Sequence, residues 1–145
     1  MSWYNTAKRL ETKPQAVRSY HSHVRLVLAS ASPRRAALLR AAAFDFETLV
    51  VDIDERVRED ERASDYVSRL ASEKSAAAME QLNLENRERH DRHEEIVVIA
   101  ADTAVVLGDE ILGKPRDDEH AGAMLRLLSA RHHEVMTGVS VRKGR

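Results

Sequence analysis

The hydrophobic positions after residue 23 form short apolar runs separated by longer stretches with helical spacing. Residues 26–28 form an apolar run that is too short for a helix and predicts a buried strand. Ser32 is a favourable N-cap and Pro33 suits the first helical position, so we expect a helix directly after this strand. Its apolar positions recur every three or four residues and predict packing on a sheet; they are Leu38, Leu39, Ala42 and Ala43.

The next part of the chain predicts a second strand and a long helix. Residues 44–51 can hold the strand. Ser64 is an N-cap candidate for a helix over residues 65–82, and residues 85–95 read as a charged connector. The inward stripe of this helix is apolar apart from one lysine; it comprises Val67, Leu70, Ala71, Lys74 and Ala78.

A continuous apolar run over residues 96–101 predicts a strand that is buried on both faces. Asp102 and Thr103 interrupt this run, which places a carboxylate at a strand junction inside the sheet. Gly108 and Asp109 form a two-residue hairpin signal, so we expect the chain to turn back on itself there.

The C-terminal part predicts one more helix and one more strand. Asp117 or Asp118 caps the helix, and residues 134–141 alternate enough for the strand. Within that strand, Thr137 and Gly138 indicate a bulge or a close backbone approach. The helix has an apolar stripe that we expect to be core; it comprises Ala121, Met124, Leu125 and Leu128.

The turn between the first strand and the first helix carries a candidate anion site. Free backbone N–H groups at a helix start attract anions, and Ser30 and Ser32 add hydroxyl groups there. Arg34 and Arg35 stand in the first helical turn, where a cation is disfavoured unless an anion lies beside it. This combination favours a polyphosphate site; the alternative is a solvated helix start whose arginines face water.

Isolated acidic residues supply candidate metal ligands and a candidate proton acceptor. Asp52, Asp54 and Glu55 cluster after the second predicted strand, where they suit a magnesium ion or simply form a solvated loop. Asp102 stands in a strongly apolar run, so a metal, a water to be deprotonated or a paired cation is expected to stabilise it.

Two lysines are candidates for the same pocket. Lys74 falls on the inward stripe of the long helix, which is costly unless its ammonium is paired or reaches solvent. It is therefore either a phosphate or carboxylate partner at the sheet edge or a lysine that extends outward. Lys114, fixed between Gly113 and Pro115, is a second cation able to reach the pocket.

Composition narrows the classes of function. The 145 residues suit one domain, and the 43% apolar and 32% charged fractions are ordinary for a soluble protein. The net charge of −1 argues against nucleic-acid and acidic-membrane partners. No apolar run approaches the roughly 20 residues of a membrane span. The absence of cysteine fits a reducing compartment, and we expect a cytoplasmic location.

Residues 1–23 differ from the rest of the chain. They carry basic residues against a single acid, Glu11, and show no apolar periodicity. We expect a disordered N-terminal extension, with a transit peptide as the alternative, and a single domain over residues 24–145.

Six short motifs between residues 26 and 141 resemble, in order, those of the Maf family: S-A-S-P-R-R, D-I-D-E, E-K, A-A-D-T, G-K-P and H-E-V-M-T-G-V. The resemblance implies an α/β fold with a mixed twisted sheet and flanking helices, like that of the inosine-triphosphate pyrophosphatases. It also implies hydrolysis of nucleoside triphosphates to the monophosphate and pyrophosphate. The pairing of S-P-R-R with A-D-T is similar to the branch that acts on dTTP and UTP.

The resemblance also implies roles for individual residues. Asp102 matches the catalytic proton acceptor, and Glu55 with Asp102 matches the ligands of a divalent cation, Mg²⁺ or Mn²⁺. Arg35 and Thr103 match positions linked to base selection. The other substrate-binding candidates are Ser30, Ser32, Arg34, Lys74 and Lys114.

Two departures from the family pattern bear on function. Ala130 stands where the family usually has glycine at a helix end. Members of the family also continue well beyond Val141, so we expect a fold that is incomplete at the C-terminus. Unpaired strand edges would then invite a homodimer. The alternative function is nucleotide binding or protein interaction without turnover.

Overall fold

The structure is a computed structural model that describes residues 24–89 and 95–144. The predicted extension over residues 1–23 lies outside the described residues. The secondary-structure elements in chain order are β1 (Val24–Ala29), α1 (Pro33–Ala41), β2 (Glu47–Thr48), α2 (Ala63–Arg89), β3 (Glu95–Leu107), β4 (Glu110–Leu112), α3 (Asp118–Leu128) and β5 (Glu134–Gly144).

The sheet is mixed, and β3 lies at its centre. One edge of β3 pairs antiparallel with β5 along nearly its whole length. The other edge pairs first with β1 in parallel, up to Ala100, and then with β4 in antiparallel orientation, from Val105. β2 extends the sheet beyond β1 in parallel. This mixed sheet with flanking helices confirms the predicted α/β class.

α2 covers one face of the sheet, and the stripe predicted for it is confirmed. Val67 and Leu70 pack with Ala104 in one buried cluster, while Ala78 packs with Ile96 and other β3 residues in a second. The β3 residues in the two clusters all have even numbers, because every second side chain of a strand points to the same face of the sheet. The core of the domain therefore lies between α2 and this face of β3.

Gly138 explains how β5 packs against α2. A Cβ atom at Gly138 would lie 2.3 Å from the backbone oxygen of Val67, so only glycine fits there. The pairing of β5 with β3 is continuous on both sides of Gly138. Of the two sequence interpretations, a close backbone approach is therefore confirmed and a bulge is not.

Two predictions for the central strand are wrong. β3 continues without a break through Asp102 and Thr103, because a polar side chain does not interrupt the backbone ladder that β5 completes. Burial on both faces was also expected. Instead Val98 is buried while Val97 is half-buried, since α2 covers only one face of the sheet.

The capping predictions for α1 and α3 are confirmed, but the prediction that their apolar stripes are buried is wrong. The Ser32 hydroxyl accepts from the backbone N–H of Arg35, and Asp117 caps α3. In α1 only Ala36 is buried, and none of α3 is buried; its Leu125 is 70% exposed. Apolar spacing identifies the face of a helix, but it does not supply a surface for that face to pack on.

Several element boundaries also differ from the sequence prediction. The second strand is limited to two residues instead of covering residues 44–51. α2 begins one residue before Ser64, so this residue lies in the first turn and is not the cap. α2 also extends to Arg89, which makes the start of the predicted connector helical, while residues 90–94 are not described. No helix in the described ranges is long and apolar enough to cross a membrane.

Candidate active site

A cleft of about 340 Å³ opens where β3 changes its partner strand. β1 stops pairing at Ala100 and β4 starts at Val105, so residues 101–104 have no partner strand on this edge among the described residues. A change of partner next to the carboxyl end of a parallel strand leaves a crevice suited to ligands. Seven of the nine predicted site residues line it: Ser30, Ser32, Arg35, Glu55, Lys74, Asp102 and Lys114.

The two other predicted residues do not line the cleft. Arg34 is exposed on the first turn of α1, apart from the cleft lining. Thr103 lies next to the cleft, where its Oγ1 accepts a hydrogen bond of 2.9 Å from Nη2 of Arg35. Thr103 is therefore connected to the cleft through Arg35, which lines it. Arg34 does not line the cleft.

Lys74 joins the two acidic residues of the cleft. Its Nζ lies 2.6 Å from Oδ1 of Asp102 and 2.7 Å from Oε1 of Glu55, and its side chain is only 12% exposed. Burial lowers the pKa of Lys74, but the hydrogen bonds to Asp102 and Glu55 outweigh this effect and raise it. Of the two sequence interpretations, the structure shows a carboxylate partner and not a lysine extended into solvent.

Glu55 is ionised by the same contacts. The hydrogen bond from Lys74 lowers the pKa of Glu55 against the opposing effect of burial, and the charges of Lys74 and Lys114 add to this lowering. Nζ of Lys114 lies 3.2 Å from Oε2 of Glu55, and the side chain of Lys114 is 86% exposed. The cleft therefore holds two cations around Glu55, one buried and one at the entrance.

The segment after β2 brings Glu55 to α2 through alternating side chains. Leu49, Val51 and Ile53 pack against the core clusters under α2, so the intervening acids face outward. Asp54 is exposed and pairs with the neighbouring Arg56 at 2.7 Å. Of the three clustered acids that the sequence offered as metal ligands, only Glu55 lines the cleft.

Sequence reasoning missed two residues that hold this segment in place. The hydroxyl of Tyr66 donates to the backbone oxygen of Glu55 at 2.9 Å. Arg69 donates to the backbone oxygen of Arg56 at 3.0 Å and binds Glu61 at 2.6 Å. Both lie on the α2 turns that precede Lys74, but neither is three or four residues from this lysine, so the helical pattern gave no signal for them.

The opposite wall of the cleft is built on hydroxyl groups. Arg35 donates through Nη1 to Oγ of Ser30 at 3.1 Å as well as to Thr103. Oγ of Ser30 also accepts from the backbone N–H of Ser32 at 3.2 Å, which stabilises the turn before α1. The guanidinium thus bridges the end of β1 and the middle of β3, across the gap between strands.

The donor set fits a magnesium-type cation only together with further ligands. Two carboxylates face one point, and the ammonium of Lys74 occupies that point. Within the described residues no group of three His, Cys, Asp or Glu side chains is arranged to hold a metal. Mg²⁺ commonly binds through one or two carboxylates plus waters and substrate phosphates, which matches Glu55 and Asp102 beside an anion site.

These features define the class of protein: an α/β fold with a charged ligand crevice at a switch between strand partners. The family model described as Maf-like protein matches residues 25–145, and the chain therefore belongs to this family. It is 50% identical over 117 residues to a dTTP/UTP pyrophosphatase of Hahella chejuensis, and 46% identical over 114 residues to one of Pasteurella multocida.

These alignments cover 81% and 79% of this chain, but only 54% and 56% of the two relatives. A dTTP/UTP pyrophosphatase of Anaeromyxobacter dehalogenans gives the same result, with 50% identity over 82% of this chain and 54% of the relative. The chain thus spans about half the length of the curated relatives that it matches. The family predicted from the six motifs is confirmed.

Proposed function

We propose that this chain hydrolyses nucleoside triphosphates, with dTTP and UTP as its substrates, to the monophosphate and pyrophosphate. The support is twofold: relatives about half identical to it are named dTTP/UTP pyrophosphatases, and its cleft has the charges that this reaction needs. The observation that carries the proposal is the ammonium of Lys74 between Glu55 and Asp102, beside the start of α1. A triphosphate bound there would meet cations on both walls.

Each charged cleft residue has a role in this proposal. Lys74 and Lys114 bind the phosphates, and the free N–H groups at the start of α1 add to the attraction. The oxygen of a water molecule bonds to the α-phosphorus while the bond from that phosphorus to the bridging oxygen of the β-phosphate breaks. Asp102 accepts the proton from the water, and pyrophosphate leaves with its charge neutralised by the lysines.

The proposal includes a divalent cation, Mg²⁺ or Mn²⁺, that Glu55, Asp102 and the substrate phosphates would hold. When bound, the cation would polarise the phosphate and make its bound water more acidic. The ammonium of Lys74 would then turn from the two carboxylates toward the phosphate oxygens. Arg35 and Thr103 are proposed to select the base.

Two further expectations belong to the proposal and have their own tests. We expect the protein in the cytoplasm, which cell fractionation with an antibody would show, and as a homodimer, which light scattering on a sizing column would show. No nucleic-acid or membrane partner is proposed, because the net charge is close to zero.

The reaction is tested by pyrophosphate release from a panel of triphosphates in the presence of Mg²⁺ or Mn²⁺. We expect the largest release with dTTP and UTP, and a loss of at least about 100-fold in kcat for Asp102→Asn. The matched control is Asp109→Asn in the exposed β3–β4 turn, which should keep wild-type turnover.

Two outcomes would contradict the proposal. Unchanged turnover in Asp102→Asn would show that this residue is not the proton acceptor. Binding of dTTP in a calorimeter without pyrophosphate release at any metal concentration would show the non-hydrolytic alternative instead.

A further inference from the structure

The H-E-V-M-T-G-V motif of β5 contains a side chain to which the proposed reaction gives no role. Thr137 lies directly opposite Thr103 in the β3–β5 ladder, and their Oγ1 atoms are 2.9 Å apart. Oγ1 of Thr103 also accepts from Nη2 of Arg35 at 2.9 Å. The three side chains thus form a hydrogen-bonded chain that ends at an arginine lining the cleft.

The number of hydroxyl hydrogens shows which hydrogen bonds these three side chains can make. Each threonine has one hydroxyl hydrogen, and one of the two is used between Thr103 and Thr137. Because Arg35 supplies its own hydrogen to Thr103, one threonine hydrogen stays available for an outside acceptor. The pair therefore fixes the rotamer of Thr103 and can also donate to a carbonyl oxygen of a ligand.

The backbone of Thr137 is paired in the β3–β5 ladder, although its side chain is exposed. The next residue, Gly138, packs its backbone against that of Val67 in α2, which anchors β5 on the helix at this point. Successive side chains of a strand point to opposite faces, which leaves the Thr137 hydroxyl on the face away from α2. A hydroxyl on a well-anchored strand is suited to positioning other groups.

We propose that Thr137 is a positioning residue for base selection, which acts by holding Thr103 and, through it, Arg35 in place. This inference rests on the proposed function. The base it favours is one with a carbonyl acceptor at position 4, as in uracil and thymine. Cytosine has an amino group there and would meet the donors of Arg35 and the threonine pair with another donor.

The test compares Thr137→Val, which removes the hydroxyl at nearly constant shape, with Thr137→Ser, which keeps it. In the full chain we expect the kcat/KM ratio of UTP to CTP to fall about fivefold in the valine variant, since one hydrogen bond is lost. The serine variant should stay within about twofold of wild type. Thr48→Val, in the exposed strand β2, is the control and should leave the ratio unchanged.

A second measurement separates this inference from the proposed function. The side-chain Nε–H signal of Arg35 in ligand-free protein reports how firmly the guanidinium is held. We expect a sharp, slowly exchanging signal in wild type and Thr137→Ser, and a broadened, faster-exchanging one in Thr137→Val. Absence of pyrophosphate release by wild type would overturn the proposed function alone, whereas an Arg35 signal or a UTP-to-CTP ratio that Thr137→Val leaves unchanged would overturn the role of Thr137.

Discussion

The two walls of the cleft are held by neighbouring residues of one strand, Asp102 directly and Thr103 through Arg35, but differ in chemistry. Asp102 faces α2 and binds a buried ammonium, whereas Thr103 is exposed on the other side and binds the half-buried guanidinium of Arg35. A buried charge must keep its partners, because an ion without one is costly in a poorly hydrated environment. Hydrogen bonds at the surface contribute little to stability. The ionic wall is therefore tied to folding, while the hydroxyl wall can vary with the ligand.

The largest expected effect is that of Lys74→Met on the ionic wall. The change keeps an apolar stem but leaves Glu55 and Asp102 without their shared cation, which should lower the free energy of unfolding by about 2–4 kcal/mol. The lower part of this range reflects the 40% exposure of the Glu55 side chain. Urea denaturation measures the loss, and added Mn²⁺ should restore more stability in the variant than in wild type, since the cation position is vacated.

The matched control lies on the hydroxyl wall. Thr103→Val removes an exposed hydroxyl and should change the free energy of unfolding by less than about 1 kcal/mol. Equal losses in the two variants would show that the walls do not differ as described. A Lys74→Met protein that Mn²⁺ does not stabilise would contradict the proposed pairing of Glu55 with Asp102 as ligands.

A smaller effect is expected from acid, through the pair that anchors the segment carrying Glu55. The hydrogen bond from Arg69 lowers the pKa of Glu61 to about 2, from an ordinary value of 4.5. A carboxylate with a lowered pKa in the folded state stabilises the protein above its unfolded pKa, and this contribution is lost as the pH falls from about 4.5 to about 2. As the pH is lowered through this range, the urea concentration at the midpoint of unfolding should therefore fall more steeply for wild type than for Glu61→Gln. Parallel curves would show that the pair contributes nothing to acid stability.

The smallest effect is expected away from both walls, at the end of α3. Ala130 has a positive φ of 56°, a conformation that glycine adopts without strain. Ala130→Gly should therefore raise the free energy of unfolding by about 0.5–1 kcal/mol and leave pyrophosphate release unchanged. The control is Ala123→Gly in the exposed interior of α3, which should lower stability by about 1 kcal/mol. Destabilisation by both changes would contradict the strain at Ala130.

Local signals in the sequence were reliable where a residue acts on its own backbone neighbours. Ser32 and Asp117 cap their helices as predicted, because a cap needs only a hydroxyl or carboxylate next to free N–H groups. The hairpin after Leu107 also follows from its two turn residues, and Gly108 has the positive φ that such a turn requires. The predicted burial of the apolar stripes of α1 and α3 was wrong, because packing depends on a surface supplied by other parts of the chain.

The candidate site shows the same division. Lys74 stood out because an inward lysine needs a partner, and Asp102 because a carboxylate in an apolar strand needs one too. Their pairing, and the choice of Glu55 over its acidic neighbours, became visible only with the contacts of the segment after β2. Thr137 stood within a recognised motif, but its register opposite Thr103 depends on the pairing of two strands distant in sequence.

By itself the sequence determined the family, the fold class and most of the residues gathered at the cleft, because these follow from residue types at short spacing. Only the tertiary structure decided that β3 runs unbroken beneath α2, that β1 and β4 leave a gap along it, and that Arg34 stays outside the cleft. The physical reason is that strand pairing and packing join residues far apart in the chain, and no local pattern of polarity specifies which surfaces will meet.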